Sequence, residues 1–350
     1  MITQQVLATS YKEDRSSVIA LSHSTSPFVS AWPWTVSSGF GSKFANPGSL
    51  IASQANHQAS FNNKKTVFAT GFNSTPYNVA YGLTSAGWGT KFADPTAGPG
   101  TNIGGVRFSP SDSAVVVGGG SSPYIGAYAW SNSTGWGTRY ANPGTTINNQ
   151  NRGGVFSKAG NAIIFGIGNS AAPQAYAWTD ASGFGTKYVN GTQAAATFVQ
   201  SMNISNKGDV VCSGIGASPF LQVHPWTDAG GFGTRFANPG TAAFSSGDGQ
   251  GVTFDQTGTR IFVISSGTSP YIAGYAWTSA GFGTKFSNPS SAMSGGGIGV
   301  CVSSDNQVVA SAVLGSPYIN AWTITPTAFG TKYSNPASLA TGAGIGISFN

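Results

Sequence analysis

Short hydrophobic runs separated by turn-forming residues recur along the whole chain. In one unit they are Val106–Ser109, Ala114–Gly118, Tyr124–Trp130 and Thr138–Ala141, each bounded by Gly, Pro, Asn or Ser. Runs of this length, rich in β-branched and aromatic residues, predict β-strands joined by tight turns. No segment keeps a 3.6-residue hydrophobic period, so the pattern predicts no helix. We name the four strands of a unit a, b, c and d in chain order.

The unit repeats seven times. A proline, usually within a Ser-Pro-aromatic step, marks each copy at intervals of 49, 47, 50, 46, 51 and 47 residues, at Pro27, Pro76, Pro123, Pro173, Pro219, Pro270 and Pro317. Each copy ends with a phrase close to Thr-Lys-Phe-Ser-Asn-Pro, as in Thr284–Pro289. Repeats of this length, each with four antiparallel strands, predict an all-β, seven-bladed β-propeller. We expect one domain over residues 1–350, with repeats of about 46–51 residues.

The two ends of the chain bear on how the ring closes. The segment Ile345–Asn350 matches strand a of other units, and Ser17–Leu21 matches strand b. The pattern therefore predicts that the N- and C-terminal strands share the first blade. The segment Gln5–Tyr11 is an alternative candidate for the same strand a.

Aromatic residues alternate along strand c, as Tyr128 and Trp130 do, or Tyr275 and Trp277. A two-residue alternation places them on one face of the sheet. We expect these rings to pack into the next blade, where each buries roughly 150–250 Å². The alternative is an exposed platform on which sugar rings stack.

Charge is scarce: 7% of residues are charged, against roughly 25% in ordinary globular proteins. The net charge is +6, and the chain has two cysteines, Cys212 and Cys301, for which we expect free, buried thiols. Residues 1–15 lack the apolar core of a secretory signal. The sequence also contains no run of 18 consecutive apolar residues, the length needed to predict a membrane-spanning helix. We therefore expect no membrane partner.

One basic residue per unit stands in the closing phrase. A closed ring would arrange these as a circle on the outermost strands, and the set is Lys43, Lys91, Arg139, Lys187, Arg235, Lys285 and Lys332. Basic side chains on exposed edge strands prevent unwanted pairing. The alternative is a docking rim for an acidic partner. Single spaced charges lack the density that phosphate tracking needs, so nucleic acid is not favoured.

The sequence shows no recognisable catalytic, metal or cofactor motif. The three histidines, His23, His57 and His224, share no repeat position, and His224 stands where other units have Tyr or Trp. Four acids lie in or beside the a–b turns, and Asp180 and Asp228 begin c–d turns, a distribution that indicates turn geometry. We therefore expect no catalytic residue, no metal ligand and no cofactor-binding residue.

The run Val106-Arg107-Phe108-Ser109 followed by Val115-Val116-Val117-Gly118 resembles WD40-type blades, although the Trp-Asp ending is absent. With the phrase Gly135-Trp136-Gly137-Thr138-Arg139-Tyr140-Ala141-Asn142-Pro143, the repeat resembles WD40-like propellers of tailed-bacteriophage virions. The resemblance implies a non-enzymatic structural protein, located in the virion, that decorates a capsid or tail and docks on other virion proteins. The alternatives are a lectin-like propeller that binds a host surface glycan and, less favoured, a propeller hydrolase.

Overall fold

The computed structural model describes residues 17–51, 55–96, 98, 101, 104–192 and 197–350, apart from the side chains of residues 55–57 and 171. It confirms the seven-bladed β-propeller. Seven four-stranded antiparallel sheets each run from an inner strand a to an outer strand d, and no helix occurs within these residues.

The strands of the first four blades are as follows. Blade 1 contains β28 (Gly344–Phe349), β1 (Ser17–His23), β2 (Val29–Thr35) and β3 (Gly39–Phe40). Blade 2 contains β4 (Ala55–Phe61), β5 (Val67–Phe72), β6 (Asn78–Thr84) and β7 (Gly87–Lys91). Blade 3 contains β8 (Val106–Phe108), β9 (Ala114–Gly118), β10 (Ile125–Ser131) and β11 (Gly135–Arg139). Blade 4 contains β12 (Gly154–Phe156), β13 (Ala162–Ile167), β14 (Ser170–Thr179) and β15 (Gly183–Lys187).

The remaining three blades follow the same order. Blade 5 contains β16 (Val199–Ile204), β17 (Val210–Ile215), β18 (Leu221–Thr227) and β19 (Gly231–Phe232). Blade 6 contains β20 (Gly249–Phe254), β21 (Arg260–Ser265), β22 (Ile272–Thr278) and β23 (Gly281–Lys285). Blade 7 contains β24 (Gly297–Val302), β25 (Val308–Val313), β26 (Ile319–Ile324) and β27 (Phe329–Lys332).

One polar side chain caps the turn between strands a and b in every blade. Its oxygen accepts a hydrogen bond from the first buried backbone N–H of strand b, as Ser303 Oγ does from Val308 N at 3.0 Å. The Ser303 backbone N–H in turn donates to the Val308 carbonyl at 2.9 Å. We call this residue the turn residue of its blade; the set is Asn62, Ser109, Ser157, Ser205, Asp255, Ser303 and Asn350.

The first blade makes the same two bonds without a covalent turn. Val18 N donates to Asn350 Oδ1 at 2.6 Å, and Asn350 N donates to the Val18 carbonyl at 3.0 Å. Strand β28 pairs with β1 from Ile19↔Phe349 onward. The prediction that the two terminal strands share a blade is confirmed, with the C-terminal strand innermost. The rival segment Gln5–Tyr11 lies outside the described residues.

The fourth repeat is out of register with the proline count. Pro173 lies inside β14, and its neighbour Gln174 pairs with Phe165 while Tyr176 pairs with Ile163. Tyr128 in blade 3 is the equivalent of Tyr176 in blade 4. Four residues earlier, Tyr124 therefore corresponds to Ala172. Tyr124 follows Pro123 directly, whereas Ala172 precedes Pro173. The number of seven units is right, although one of the seven prolines is two residues from its expected place.

The strand-c aromatic residues are buried between blades. Trp130 is 5% exposed and packs with Val67 and Ala69 of blade 2. Its ring meets Phe92, which follows strand d of blade 2, at 5.1 Å in an edge-to-face contact. The neighbour is thus the preceding blade and not the following one, because strand c of each blade covers the face that strand b of the previous blade presents. Rings buried in this way offer no sugar-stacking platform.

Both cysteines are free thiols, as expected. Cys212 in β17 is fully buried, as predicted, whereas Cys301 in β24 is half-buried, so the prediction of a buried side chain is wrong for Cys301. Among the residues that the structure describes, none forms a helix long and apolar enough to cross a membrane.

Replacing Asn350 should weaken ring closure. Asn350→Ala leaves the buried Val18 N–H without an acceptor, which costs about 1–3 kcal/mol of unfolding free energy. Urea unfolding followed by tryptophan fluorescence measures the loss. Ser304→Ala, an exposed site beside the Ser303 turn, is the control and should change the unfolding free energy by less than about 0.5 kcal/mol. Equal, near-zero effects of the two variants would contradict the role given to Asn350.

His224 makes stability depend on pH. Burial lowers its pKa to about 4, aided by repulsion from Arg235 and partly opposed by the bond to the Thr192 carbonyl. An unfolded histidine titrates near 6.5, so the unfolded chain binds a proton that the folded chain does not, and stability falls as the pH drops from about 6.5 to about 4. The loss approaches about 3 kcal/mol for this residue.

His224→Tyr should remove that dependence. Tyr176 and Tyr275 occupy the equivalent position and donate to the carbonyls of Thr145 and Thr241, just as His224 Nε2 bonds to the Thr192 carbonyl. Urea unfolding at pH 7 and pH 4.5 should show a smaller acid loss in the variant. Identical acid losses in the variant and the natural chain would refute the assignment.

Candidate functional site

Glycines on the inner strands set the width of the central channel. The residue four places before the turn residue is glycine in five blades, and only blades 2 and 5 carry a side chain there, Gln58 and Ser201. A Cβ on Gly251 would lie 2.5 Å from the Ile298 carbonyl oxygen, and one on Gly299 would lie 2.8 Å from that of Ile345. Adjacent inner strands therefore approach to backbone contact, which only glycine permits.

Two polar side chains enter this channel. The opening is lined by the inner strands of blades 1, 2, 3, 6 and 7, and its polar side chains are those of Gln58 and Arg107. Arg107 Nη1 donates to the Ala59 carbonyl at 2.9 Å and to the Val106 carbonyl at 3.3 Å. Burial lowers the Arg107 pKa to about 10, which leaves the group charged at neutral pH. Gln58 is 9% exposed, and its Oε1 has no hydrogen-bond partner among the described residues.

A second polar group lies where the inner strands begin. Arg152, Gln200 and Gln250 stand five residues before the turn residues of blades 4, 5 and 6, and Asp248 is two residues before Gln250. Gln250 Nε2 lies 3.4 Å from Asp248 Oδ2 and 3.1 Å from Ser266 Oγ. Gln200 is 4% exposed, and its Oε1 lacks a partner in the described part of the chain. We call Arg152, Gln200, Asp248 and Gln250 the mouth cluster.

Arg152 and Asp248 attract each other across the mouth cluster. Burial lowers the pKa of Arg152, and the charge of Asp248 opposes that shift. Both side chains are half-exposed, so a solute can reach them from solvent. The cluster thus combines one cation, one carboxylate and two amides, which can bind a polar ligand and move a proton.

The other carboxylates that the structure describes hold turns together. Asp180 accepts from Trp178 Nε1 at 2.8 Å and from Ser111 and Ser113 of the previous blade. Asp228 does the same with Trp226 and Ser157. Asp112 accepts from the backbone N–H groups of Asn63 and Lys64 in the turn of the preceding blade. The remaining acids in this group are engaged by their own turn or by a neighbouring cation: Asp94, Asp209, Asp255 and Asp305. Asp248 differs from all of them in that it interacts with Gln250 at the start of an inner strand and with the charge of Arg152 in another blade.

The predicted basic residues lie on or directly after the outer strands. All seven are half-buried, and several bond within their own blade, as Arg139 does with Asn142 and Arg235 with Asn238. Lys285 Nζ donates to the carbonyls of Ala242 and Ala243, and Lys332 Nζ lies 5.9 Å from the ring of Trp322. A docking role for this ring of charges stays a prediction.

The histidines do not converge. His23 lies in β1 with its Nε2 3.0 Å from Ser30 Oγ, and burial lowers its pKa to about 4. His224 packs edge-to-face on Phe232, and the side chain of His57 lies outside the described residues. Within the described ranges, no three His, Cys, Asp or Glu side chains form a metal-binding group.

Sequence reasoning missed the mouth cluster and Arg107. The sequence signal for these residues is a departure from the repeat. The position five residues before the turn residue holds an isoleucine in blades 7 and 1, Ile298 and Ile345, but a polar residue in blades 4, 5 and 6. Asp248 also falls outside the turns that hold most of the other acids.

No known protein family model and no curated protein matches the chain, whereas solved structures do. It is similar to a Lactobacillus plantarum protein at 12% identity and TM-score 0.73, over 96% of this chain and 99% of that one. A putative 6-phosphogluconolactonase from Bacteroides uniformis gives 12% identity and TM-score 0.71, with the same coverage. A periplasmic gluconolactonase from Pseudomonas aeruginosa gives 11% identity and TM-score 0.69, over 95% of this chain and 99% of that one. At these identities the likeness establishes the seven-bladed fold alone.

These neighbours correct four expectations. The resemblance to bacteriophage propellers, the role as a structural virion protein and the location in a virion are wrong, because these neighbours are bacterial, two of them are named as lactonases and none is named as a virion protein. The expectation of a protein without enzymatic activity is contradicted as well, since two of them bear the names of lactonases. The physical reason for the error is that blade repeats encode packing between blades, which propellers of any function share.

Proposed function

We propose that this chain is a hydrolase that opens the lactone ring of a sugar acid at the mouth cluster. The observation that carries the proposal is Asp248, a half-exposed carboxylate directly before the inner strand of blade 6 that interacts with the charge of Arg152 in blade 4. The two structural neighbours named as lactonases support the same reaction class. A concave site at the centre of the ring, with a few converging polar groups, is the usual place for a small ligand.

The chemistry follows from the four side chains. Asp248 accepts a proton from a water molecule, and the water oxygen bonds to the lactone carbonyl carbon. The charge that develops on the carbonyl oxygen is stabilised by the guanidinium of Arg152. The ring C–O bond then breaks, and the departing alkoxide takes the proton from Asp248, which leaves an open-chain hydroxy acid.

The amides supply recognition. Gln200 Oε1 is buried without a partner among the described residues, so a rotation of this amide toward a ligand hydroxyl would gain a bond and remove an unsatisfied acceptor. Gln250 offers its amide at the surface of the same mouth. A polyhydroxylated lactone presents such hydroxyls beside its carbonyl, whereas a simple alkyl lactone does not.

Asp248→Asn should lower kcat for glucono-1,5-lactone by about 100-fold or more, because general-base catalysis contributes that much. Acid release in a pH-stat, corrected for spontaneous hydrolysis, measures the rate. Asp94→Asn is the matched control, since that carboxylate pairs with Lys91 beside the outer strand of blade 2 and should leave kcat unchanged.

Two outcomes would refute the proposed function. One is the absence of acceleration by the folded natural chain with both glucono-1,5-lactone and its 6-phosphate. The other is equal activity of Asp248→Asn and the natural chain.

A further inference from the structure

Arg107 is a cation in the channel without a counter-charge among the residues that the structure describes. The two ion pairs within the described residues are Lys91–Asp94 and Arg260–Asp255, and neither involves Arg107. Its own hydrogen bonds go to two neutral carbonyl groups, of Ala59 and Val106. Burying a charge is costly unless a group of opposite charge or a set of hydrogen bonds compensates for it.

Most of the guanidinium is available for a ligand. Both bonds use Nη1, so the N–H groups of Nε and Nη2 have no acceptor among the described residues. A guanidinium has five donors in a rigid planar fork, which suits the binding of an anion.

The other groups nearby do not neutralise the charge. Burial raises the pKa of the Cys301 thiol to about 12, so this group is neutral at pH 7. Lys65, which interacts with the same thiol, is a second positive charge. The Asp112 carboxylate is held by the backbone N–H groups of Asn63 and Lys64 and by Asn62.

The size of the opening restricts the ligand. The space beside Arg107 and Gln58 accommodates a particle about the size of one water molecule. The glycine-lined inner strands of blades 6, 7 and 1 form the opposite wall, where backbone contact leaves no room to widen it. A sugar acid does not fit this space, whereas a monoatomic anion does.

We propose that the channel binds one small inorganic anion of halide size against the Arg107 guanidinium. The anion compensates the buried positive charge and joins the inner strands that surround it. The inference stands on the geometry of the channel and does not depend on the proposed hydrolase function.

Bromide is the probe. Thermal unfolding of the full chain is followed in increasing sodium bromide, with ionic strength held constant by the sodium salt of a bulky sulfonate. The natural chain should gain about 2–4 °C in Tm as bromide replaces the sulfonate, because a ligand that binds only the folded state stabilises it. Arg107→Gln should lose this gain, and Arg152→Gln, the matched change at the channel mouth, should keep it.

Crystals of the natural chain grown in bromide give a readout that does not rely on any variant folding. Anomalous scattering should show one bromide within hydrogen-bonding distance of the Arg107 guanidinium. A water molecule at that point in place of bromide would overturn the proposal. So would a bromide-dependent gain in Tm that survives in folded Arg107→Gln.

Discussion

Ring closure is the constraint on which the rest of this structure depends. A blade of four short strands cannot bury both of its faces, so each blade is stable only between two neighbours. In six blades the inner strand is tied to the second strand by a covalent turn, and in the first blade Asn350 and Val18 reproduce the same pair of hydrogen bonds without one. The same side-chain hydrogen bond that caps the six covalent turns therefore also joins the C-terminal strand to the N-terminal strand.

The channel and its chemistry follow from how closely the inner strands approach. Glycine brings the strands of blades 6, 7 and 1 into backbone contact and leaves no side chain at that position. Blades 2 and 3 carry Gln58 and Arg107 into the same space, and blades 4, 5 and 6 supply Arg152, Gln200 and Gln250 where their inner strands begin. A nearly symmetric ring therefore has an asymmetric channel, because a few side chains replace small or apolar residues on particular blades.

The fold could be predicted from the sequence because it rests on features that recur in every blade. The period, the four strands and the closure by residues 345–350 are each repeated or matched several times along the chain. Pro173 shows where prediction from spacing fails. It lies two residues from the position that the other prolines occupy, and the spacing still looks regular, but the pairing of β13 with β14 sets a different register. The sequence also could not show whether the strand-c aromatic residues pack on the preceding or the following blade. Their two-residue alternation is the same in both cases.

The candidate functional residues could not be found in that way, since each occurs once. Arg107, Arg152 and Asp248 look like ordinary variation within a repeat until the strands place them around one axis. Asp180 and Asp228 show the converse, because they recur and each binds a tryptophan and the preceding blade. In a repeat protein, recurrence therefore marks residues that hold the fold, and single departures on the innermost strand mark candidates for chemistry.

The scarcity of charge gives the channel its electrostatic character. With 7% of residues charged, few groups compete with the arginines near the axis, and low-dielectric walls concentrate their field. In the proposed reaction, hydrolysis of a lactone converts a neutral ring into a carboxylate, which the positive potential of the channel would attract and retain. An anion held at Arg107 reduces that potential to the contribution of Arg152, which Asp248 partly offsets. The two proposed sites would thus be linked through charge: occupancy of the inner site would weaken the hold on an acidic product at the mouth and favour its release.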